Sequence, residues 1–187
     1  MATPVYENAT VPAKKEPKLN RVRVDYPMDQ VADSVLGLKG LWESRSDDFP
    51  FFTLGKSAYL DGNTTEYFSG AKKLNDVLIK TFASLYKRVG EVLRKELGEN
   101  IFYDPLLALP AFHIFPSNER SLSVSGGWHI DIPHKTLDLG YMDANTFTLP
   151  VMLPTGGGGM DFDTGYYPYT VGEMVIHDGK KPHRIAS

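Results

Sequence analysis

The stretch Gly126-Gly127-Trp128-His129-Ile130-Asp131-Ile132-Pro133 contains a glycine turn followed by the residues of a short predicted β-strand. Because alternate side chains of a strand point to the same face, we expect His129 and Asp131 to project together, with Ile130 on the other side. The two side chains would stand about 7 Å apart along the strand, which allows an imidazole and a carboxylate to chelate one metal ion. A His-x-Asp pair also occurs by chance, so a metal site needs a third ligand.

The C-terminal end of the sequence offers that ligand. An apolar predicted strand at residues 171–177 is followed by a turn at Asp178-Gly179, and a second short predicted strand carries His183. Two histidines and one carboxylate on one face of a metal, with open coordination positions, are typical of non-haem Fe(II) oxygen chemistry. His177 competes with His183 for the role of third ligand.

These motifs resemble the Fe(II)/2-oxoglutarate-dependent dioxygenases, whose fold is a double-stranded β-helix, or jelly roll. The resemblance covers residues 106–187 and rests on His129-x-Asp131, on the closing residues 171–186, and on residues 109–115, which are similar to a strand leading into the barrel of uncharacterised bacterial members. It favours His183 over His177, and it implies that His129, Asp131 and His183 bind Fe(II) and are catalytic. It also implies decarboxylation of 2-oxoglutarate to succinate and CO2 with hydroxylation of a C–H bond.

The far carboxylate of 2-oxoglutarate should have a cationic partner, because it enters a largely desolvated pocket. In the family this partner is commonly an arginine beyond the distal histidine, whereas this sequence stops at Ser187. Arg184 neighbours His183 on a predicted strand and should face away from the iron. We therefore expect either a missing last strand, which would also leave an unpaired edge, or a cation from elsewhere. The candidates for that cation are Arg120, Lys135 and Arg23.

Other polar residues of the C-terminal half have weaker roles. Thr146 and Thr148 share one face of a predicted strand and could donate hydrogen bonds to the cosubstrate. His134 is expected at the mouth of the site, exposed to solvent, and His113 either lines the site or is a core histidine. The glycine run at residues 156–159 predicts an inter-strand turn, because no Lys-Ser/Thr pair or helix follows it as a phosphate loop requires.

Length and composition favour an ordinary globular protein. The 187 residues are 42% hydrophobic and 23% charged, which predicts a single domain. A net charge of −3 gives no basic footprint for nucleic acid or for an anionic membrane. The absence of cysteine excludes disulfides, zinc-thiolate sites and thiol nucleophiles. With neither a transmembrane run nor a secretory signal expected, we predict a cytoplasmic protein acting on a small molecule or a peptide, of unspecified oligomeric state.

We expect the chain to divide into a mobile arm at residues 1–20, a helical buttress at 21–98 and a jelly-roll core at 99–187. A long helix is predicted over Ala71–Leu97, ending at Gly98, because apolar residues recur three or four positions apart. They are Leu74, Leu78, Phe82, Leu85, Val89, Leu93 and Leu97. After Gly98 short β-type runs alternate with turn residues, including predicted strands at 121–124, 128–132 and 146–153. The pattern predicts an α+β fold with N-terminal helices packed on a barrel.

Two other classes of protein remain open at this point. One is a cupin-type, metal-dependent dioxygenase that does not use 2-oxoglutarate, a reading favoured by the missing arginine. The other is a catalytically silent jelly-roll module that only binds a partner. The complete set of His129, Asp131 and His183 argues against the silent module, because a decayed site usually loses a ligand.

Overall fold

The computed structural model describes residues 19–45, 51–116, 126–140 and 144–186. Within these ranges the chain is a mixed α/β protein with three antiparallel sheets and no closed barrel. The helices are α1 (Met28–Gly37), α2 (Ala58–Asp61), α3 (Thr65–Leu97) and α4 (Pro133–Thr136), with a 3-10 turn at Lys39–Leu41. The strands are β1 (Asn20–Arg23), β2 (Glu43–Ser44), β3 (Phe52–Leu54), β4 (Phe112–Ile114), β5 (Asn145–Thr148), β6 (Gly159–Phe162), β7 (Gly165–Pro168), β8 (Glu173–Asp178) and β9 (His183–Ala186).

Each sheet has a central strand with one neighbour on either side. The orders are β1-β8-β5, β2-β3-β4 and β7-β6-β9. In the first sheet Phe147 lies opposite Ile176, and Thr146 lies opposite His177. Opposite residues of an antiparallel pair share a face, so one face of this sheet is apolar and the other is polar. The mainly apolar face, with Phe147 and Ile176, packs into the main core, and the face with Thr146 and His177 contacts Phe162 of the third sheet.

Helix α3 provides the other side of that core. Its stripe buries Leu78, Phe82 and Leu85 in one cluster with Met174 and Ile176 of β8, so the helix lies on a sheet as its apolar periodicity predicted. The helix begins at Thr65 rather than Ala71, because the Thr64 side chain caps it by accepting a hydrogen bond from the Tyr67 amide at 3.0 Å. Gly98, with φ 72°, ends it as predicted. Among the described helices none is both long and apolar enough to cross a membrane.

Several predicted boundaries differ from the structure. The predicted strand at 128–132 reduces to one isolated bridge at His129. Strand β5 ends at Thr148, just before Pro150, whose nitrogen cannot donate to a ladder. Asn20 begins β1 rather than ending an arm. Residues 1–18 of the predicted arm and the predicted strand at 121–124 lie outside the described residues.

The predicted helical buttress at residues 21–98 also contains strands. Strands β1, β2 and β3 all fall in this region, and each belongs to a sheet that contains strands of the C-terminal half. Strand β1 pairs with β8, and β3 pairs with β4. The two regions are therefore joined by backbone hydrogen bonds as well as by side-chain packing.

Candidate metal centre

His129 and His183, far apart in the sequence, are held side by side by their own backbones. The amide of each donates to the carbonyl of the other at 2.9 Å, forming the isolated bridge. Two residues further on, the Asp131 amide donates to the Gly179 carbonyl at 2.7 Å. The segment that carries His129 and Asp131 is thus fixed to β9 and to the turn that precedes it.

The side chains of His129, Asp131 and His183 converge. One ligand atom of each lies within 4.8 Å of the others, and the group could hold a metal ion. His183 Nε2 is 3.2 Å from Asp131 Oδ2, and His129 Nε2 is 3.9 Å from Asp131 Oδ1. Neighbouring ligands bound at about 2.1 Å stand roughly 3 Å apart, so only a small closure separates this arrangement from coordination.

Backbone carbonyls orient both imidazoles towards that centre. His129 Nδ1 lies 2.8 Å from the Gly127 carbonyl, and His183 Nδ1 lies 2.7 Å from the Lys181 carbonyl. A carbonyl can only accept a hydrogen bond, so each Nδ1 carries the proton and donates it. The Nε2 lone pairs are therefore the ones available to a metal, which is the arrangement common among metal-binding histidines.

The electrostatics of the group suit a cation. Burial alone would raise the pKa of Asp131, but the hydrogen bond with His183 and the neighbouring imidazoles lower it, so the carboxylate stays charged. Burial alone would lower the pKa of His183, yet the hydrogen bonds to Asp131 and to the Lys181 carbonyl, together with the charge of Asp131, raise it. A proton and a metal ion compete for the same Nε2 of His183, so metal binding releases that proton.

His177 is not a member of this group, but its ring contacts that of His183. Its ring centroid is 4.6 Å from that of His183, and Phe162 of β6 packs edge-on against it at 5.3 Å. Nδ1 is 3.2 Å from the Asp178 carbonyl, while Nε2 is buried without a hydrogen-bond partner among the described residues. Burial lowers the pKa of His177, which favours the neutral ring, and because Nδ1 lies beside a carbonyl the lone pair is on Nε2.

Thr146 and Thr148 lie on the same polar face. Thr146 is opposite His177, and its Oγ1 would stand only 2.8 Å from a Cβ placed on Gly179. The same Cβ would collide with the Asp131 carbonyl, so only glycine fits beside this ligand. Near Thr148 the hydroxyl of Tyr169 is buried with no hydrogen bond of good geometry among the described residues, and burial raises its pKa.

Two of the predicted cations, Arg184 and Arg23, contact groups other than the triad. Arg184 donates from Nε to Asp161 at 2.9 Å and lies 4.9 Å from the centre of the Trp128 ring, away from the ligands as predicted. Arg23 donates to the Val171 carbonyl at 2.7 Å. Lys135 is exposed on α4, and Arg120 lies outside the described residues.

Sequence reasoning missed Tyr59. This residue of α2 places its ring between those of His113 and His129, at 5.8 and 6.5 Å, with interplanar angles of 15° and 11°. Desolvation and then the charge of Asp131 raise the pKa of Tyr59 to about 12. The contact joins segments distant in the chain, and no local spacing signals it. His113, left undecided between core and site, is an exposed member of this ring stack.

The prediction for His134 was wrong. We expected a solvated side chain, but the residue is only 4% exposed, and neither ring nitrogen has a hydrogen-bond partner among the described residues. Pro133 starts α4 at its first position, where a missing amide proton costs nothing, and the helical turn carries His134 inward.

No family model matches this sequence, and comparisons with curated proteins and with solved structures found no match.

Proposed function

We propose that this chain is an Fe(II)- and 2-oxoglutarate-dependent oxygenase that binds iron through His129, Asp131 and His183. The observation that supports this most strongly is the convergence of two oriented Nε2 atoms and a charged carboxylate on one point. This donor set suits non-haem Fe(II) with open positions for a chelating cosubstrate and O2. When bound, the metal and 2-oxoglutarate supply the oxidation: one oxygen atom hydroxylates a C–H bond, and the other leaves in succinate alongside CO2.

The proposal includes a jelly-roll arrangement of the first and third sheets. Phe162 of β6 and His183 of β9 lie opposite each other in the third sheet, and both contact the ring of His177 of β8, at 5.3 and 4.6 Å from centre to centre. The two sheets therefore face each other across the residues next to the metal ligands. A jelly roll is built from two facing antiparallel sheets, so the contacts between the first and third sheets support this proposal.

We assign the cosubstrate to the polar space between these sheets. Thr146 and Thr148 supply hydroxyl groups there, and Tyr169 and His177 supply buried polar atoms that lack partners among the described residues. Buried polar atoms are usually hydrogen-bonded, so a polar ligand would satisfy them. On this proposal these residues bind and orient the oxo acid, while Asp131 and the two imidazoles hold the metal.

A metal-dependent dioxygenase without 2-oxoglutarate is the second candidate. It is favoured by the position of Arg184, the cation next to a metal ligand in sequence, which is engaged by Asp161 and Trp128. Such an enzyme would bind iron at the same triad but would need no partner for a far carboxylate.

Anaerobic titration separates the candidates. Adding 2-oxoglutarate to the Fe(II)-loaded protein should produce a weak visible charge-transfer band. Admitting O2 in the presence of a panel of substrates should then reveal succinate release. Asp131→Ala should lose both signals, whereas Asp76→Ala, which removes an exposed carboxylate on α3, should keep them. Iron binding without the band would favour the second candidate. Failure to bind iron would leave a silent binding module.

A further inference from the structure

Helix α2 is held in place by buried ion pairs. Its last residue, Asp61, accepts two bonds from the Arg45 guanidinium at 2.9 and 3.2 Å, one from Lys56 Nζ at 3.1 Å and one from the Ser57 amide at 2.7 Å. The side chains of Arg45 and Asp61 are only 8% and 9% exposed. Arg45 also donates to Thr53 Oγ1 of β3 at 2.7 Å. Bidentate, charge-assisted bonds of this kind fix geometry as well as adding stability.

The same short helix carries Tyr59 onto His129. Of the two metal-binding histidines, His183 is nearly enclosed, whereas the side chain of His129 is 43% exposed. Among the described residues, the His129 ring is restrained by one hydrogen bond, which its Nδ1 donates to the Gly127 carbonyl of its own segment. The nearly parallel Tyr59 ring, backed by His113, lies against His129 from a different part of the chain. Helix α2 also packs against α4, which begins two residues after Asp131.

We propose that Tyr59 is a positioning residue for the metal ligand His129, and that the Arg45–Asp61 pair holds Tyr59 in place. This inference rests on the metal triad of the proposed function but not on iron or on 2-oxoglutarate. An imidazole on an exposed segment can rotate its Nε2 away from the metal, and a flat ring stacked on it opposes that rotation. Groups that orient metal ligands from outside typically change metal affinity by about 10- to 100-fold.

Cobalt(II) titration of the whole chain tests the inference, because the visible bands of cobalt report its coordination geometry. Tyr59→Ala should weaken Co(II) binding by about 10- to 100-fold and alter the bands. Tyr59→Phe keeps the ring and should restore both. Asp61→Asn, which leaves Tyr59 intact but loosens α2, should lower the affinity in the same direction. Phe102→Ala removes an aromatic ring that is 79% exposed and should change nothing.

The outcomes separate this inference from the proposed function. If the wild-type chain fails to bind Co(II), the metal triad itself is wrong. If the wild type binds and Tyr59→Ala retains its affinity and bands, Tyr59 has no positioning role. Wild-type binding by Asp61→Asn would overturn the role of the ion pair. Should Tyr59→Ala fail to fold by circular dichroism, Tyr59→Leu preserves bulk without a flat ring, and unchanged binding by that variant would also overturn the inference.

Discussion

Gly179 leaves no space between the β8–β9 turn and Asp131. A methyl group there would meet the Asp131 carbonyl and would lie 3.1 Å from the Asp131 Cβ. We expect Gly179→Ala to displace the carboxylate and weaken metal binding by about 10- to 100-fold, as measured by Co(II) titration. Gly37→Ala, where nothing lies within 4 Å, is the matched control. Unchanged affinity in Gly179→Ala would mean that Asp131 can move without loss.

Asp61 should make stability depend on pH. Burial alone raises the pKa of Asp61, but the bonds from Arg45, Ser57 and Lys56 outweigh burial and lower it. A carboxylate whose pKa is depressed by folding stabilises the protein above its unfolded value of about 3.9, and this contribution is lost as the pH falls through the folded pKa. Asp61→Asn should therefore lower the free energy of unfolding by about 2 kcal/mol at pH 7, since Arg45 and Lys56 lose their charged bonds to Asp61 and keep Glu43 as a carboxylate partner.

Urea unfolding of both proteins across pH measures this effect. The difference between wild type and Asp61→Asn should shrink as the pH drops below about 4. Glu91→Gln breaks an exposed pair with Arg88 and should cost less than about 1 kcal/mol at any pH. A difference for Asp61→Asn that stays constant with pH would exclude an ionised role for this carboxylate.

At the scale of residues, the sequence predicted what local geometry controls. Alternation along an extended chain was enough to put His129 and Asp131 on one side, and it correctly turned Arg184 away from the triad. This alternation could not predict Tyr59, because its stacking on His129 depends on the position of α2 in the folded chain. The burial of His134 was equally out of reach, because it follows from the tertiary environment of a four-residue helix.

The stability of helix α3 should depend on its buried stripe. Phe82→Ala and Leu85→Ala each remove a nearly fully buried side chain and should lower the free energy of unfolding by about 2–5 kcal/mol through lost contacts and a cavity. Ile79→Ala, on the exposed face, should cost less than about 1 kcal/mol. Equal losses for Ile79→Ala and Leu85→Ala in urea unfolding would show that a different face is buried.

Helices and strands were predictable from the sequence where the spacing of apolar residues stayed regular. The stripe of α3 identified the helix and Gly98 its end, but not the break in helical geometry at Phe82, where φ is −121° and ψ 17°. Strands are harder, because a short extended segment needs a partner before it becomes a strand. Residues 128–132 had the right alternation, yet only His129 finds a bridging partner.

At the scale of the whole molecule, metal should stabilise the folded chain. An ion that binds only the folded form adds about 2.7 kcal/mol to the free energy of unfolding at 100 times its Kd. Differential scanning calorimetry should therefore show a higher Tm with excess Co(II), reversed by a chelator. Asp131→Ala should show no such shift. An equal rise in Asp131→Ala would point to binding elsewhere on the chain.

The mixed fold class was accessible from the order of helical and strand-like segments. The pairing was not: β1, at one end of the described chain, pairs with β8 near the other. Hydrophobic alternation indicates which face of a strand is buried but not which distant strand lies beside it. For the same reason the sequence could not foresee that strands of the predicted buttress pair with strands of the C-terminal half.

The reciprocal bridge between His129 and His183 has a kinetic consequence. His129 and His183 can share one ion only after the chain between them has closed into a loop. Closing a long loop costs entropy, so we expect this contact to form late in folding. Metal should then slow unfolding and leave the folding rate nearly unchanged. Stopped-flow measurements with and without Co(II) should show a lower unfolding rate and an unchanged folding rate. A bound ion would then stabilise the chain only after it has folded.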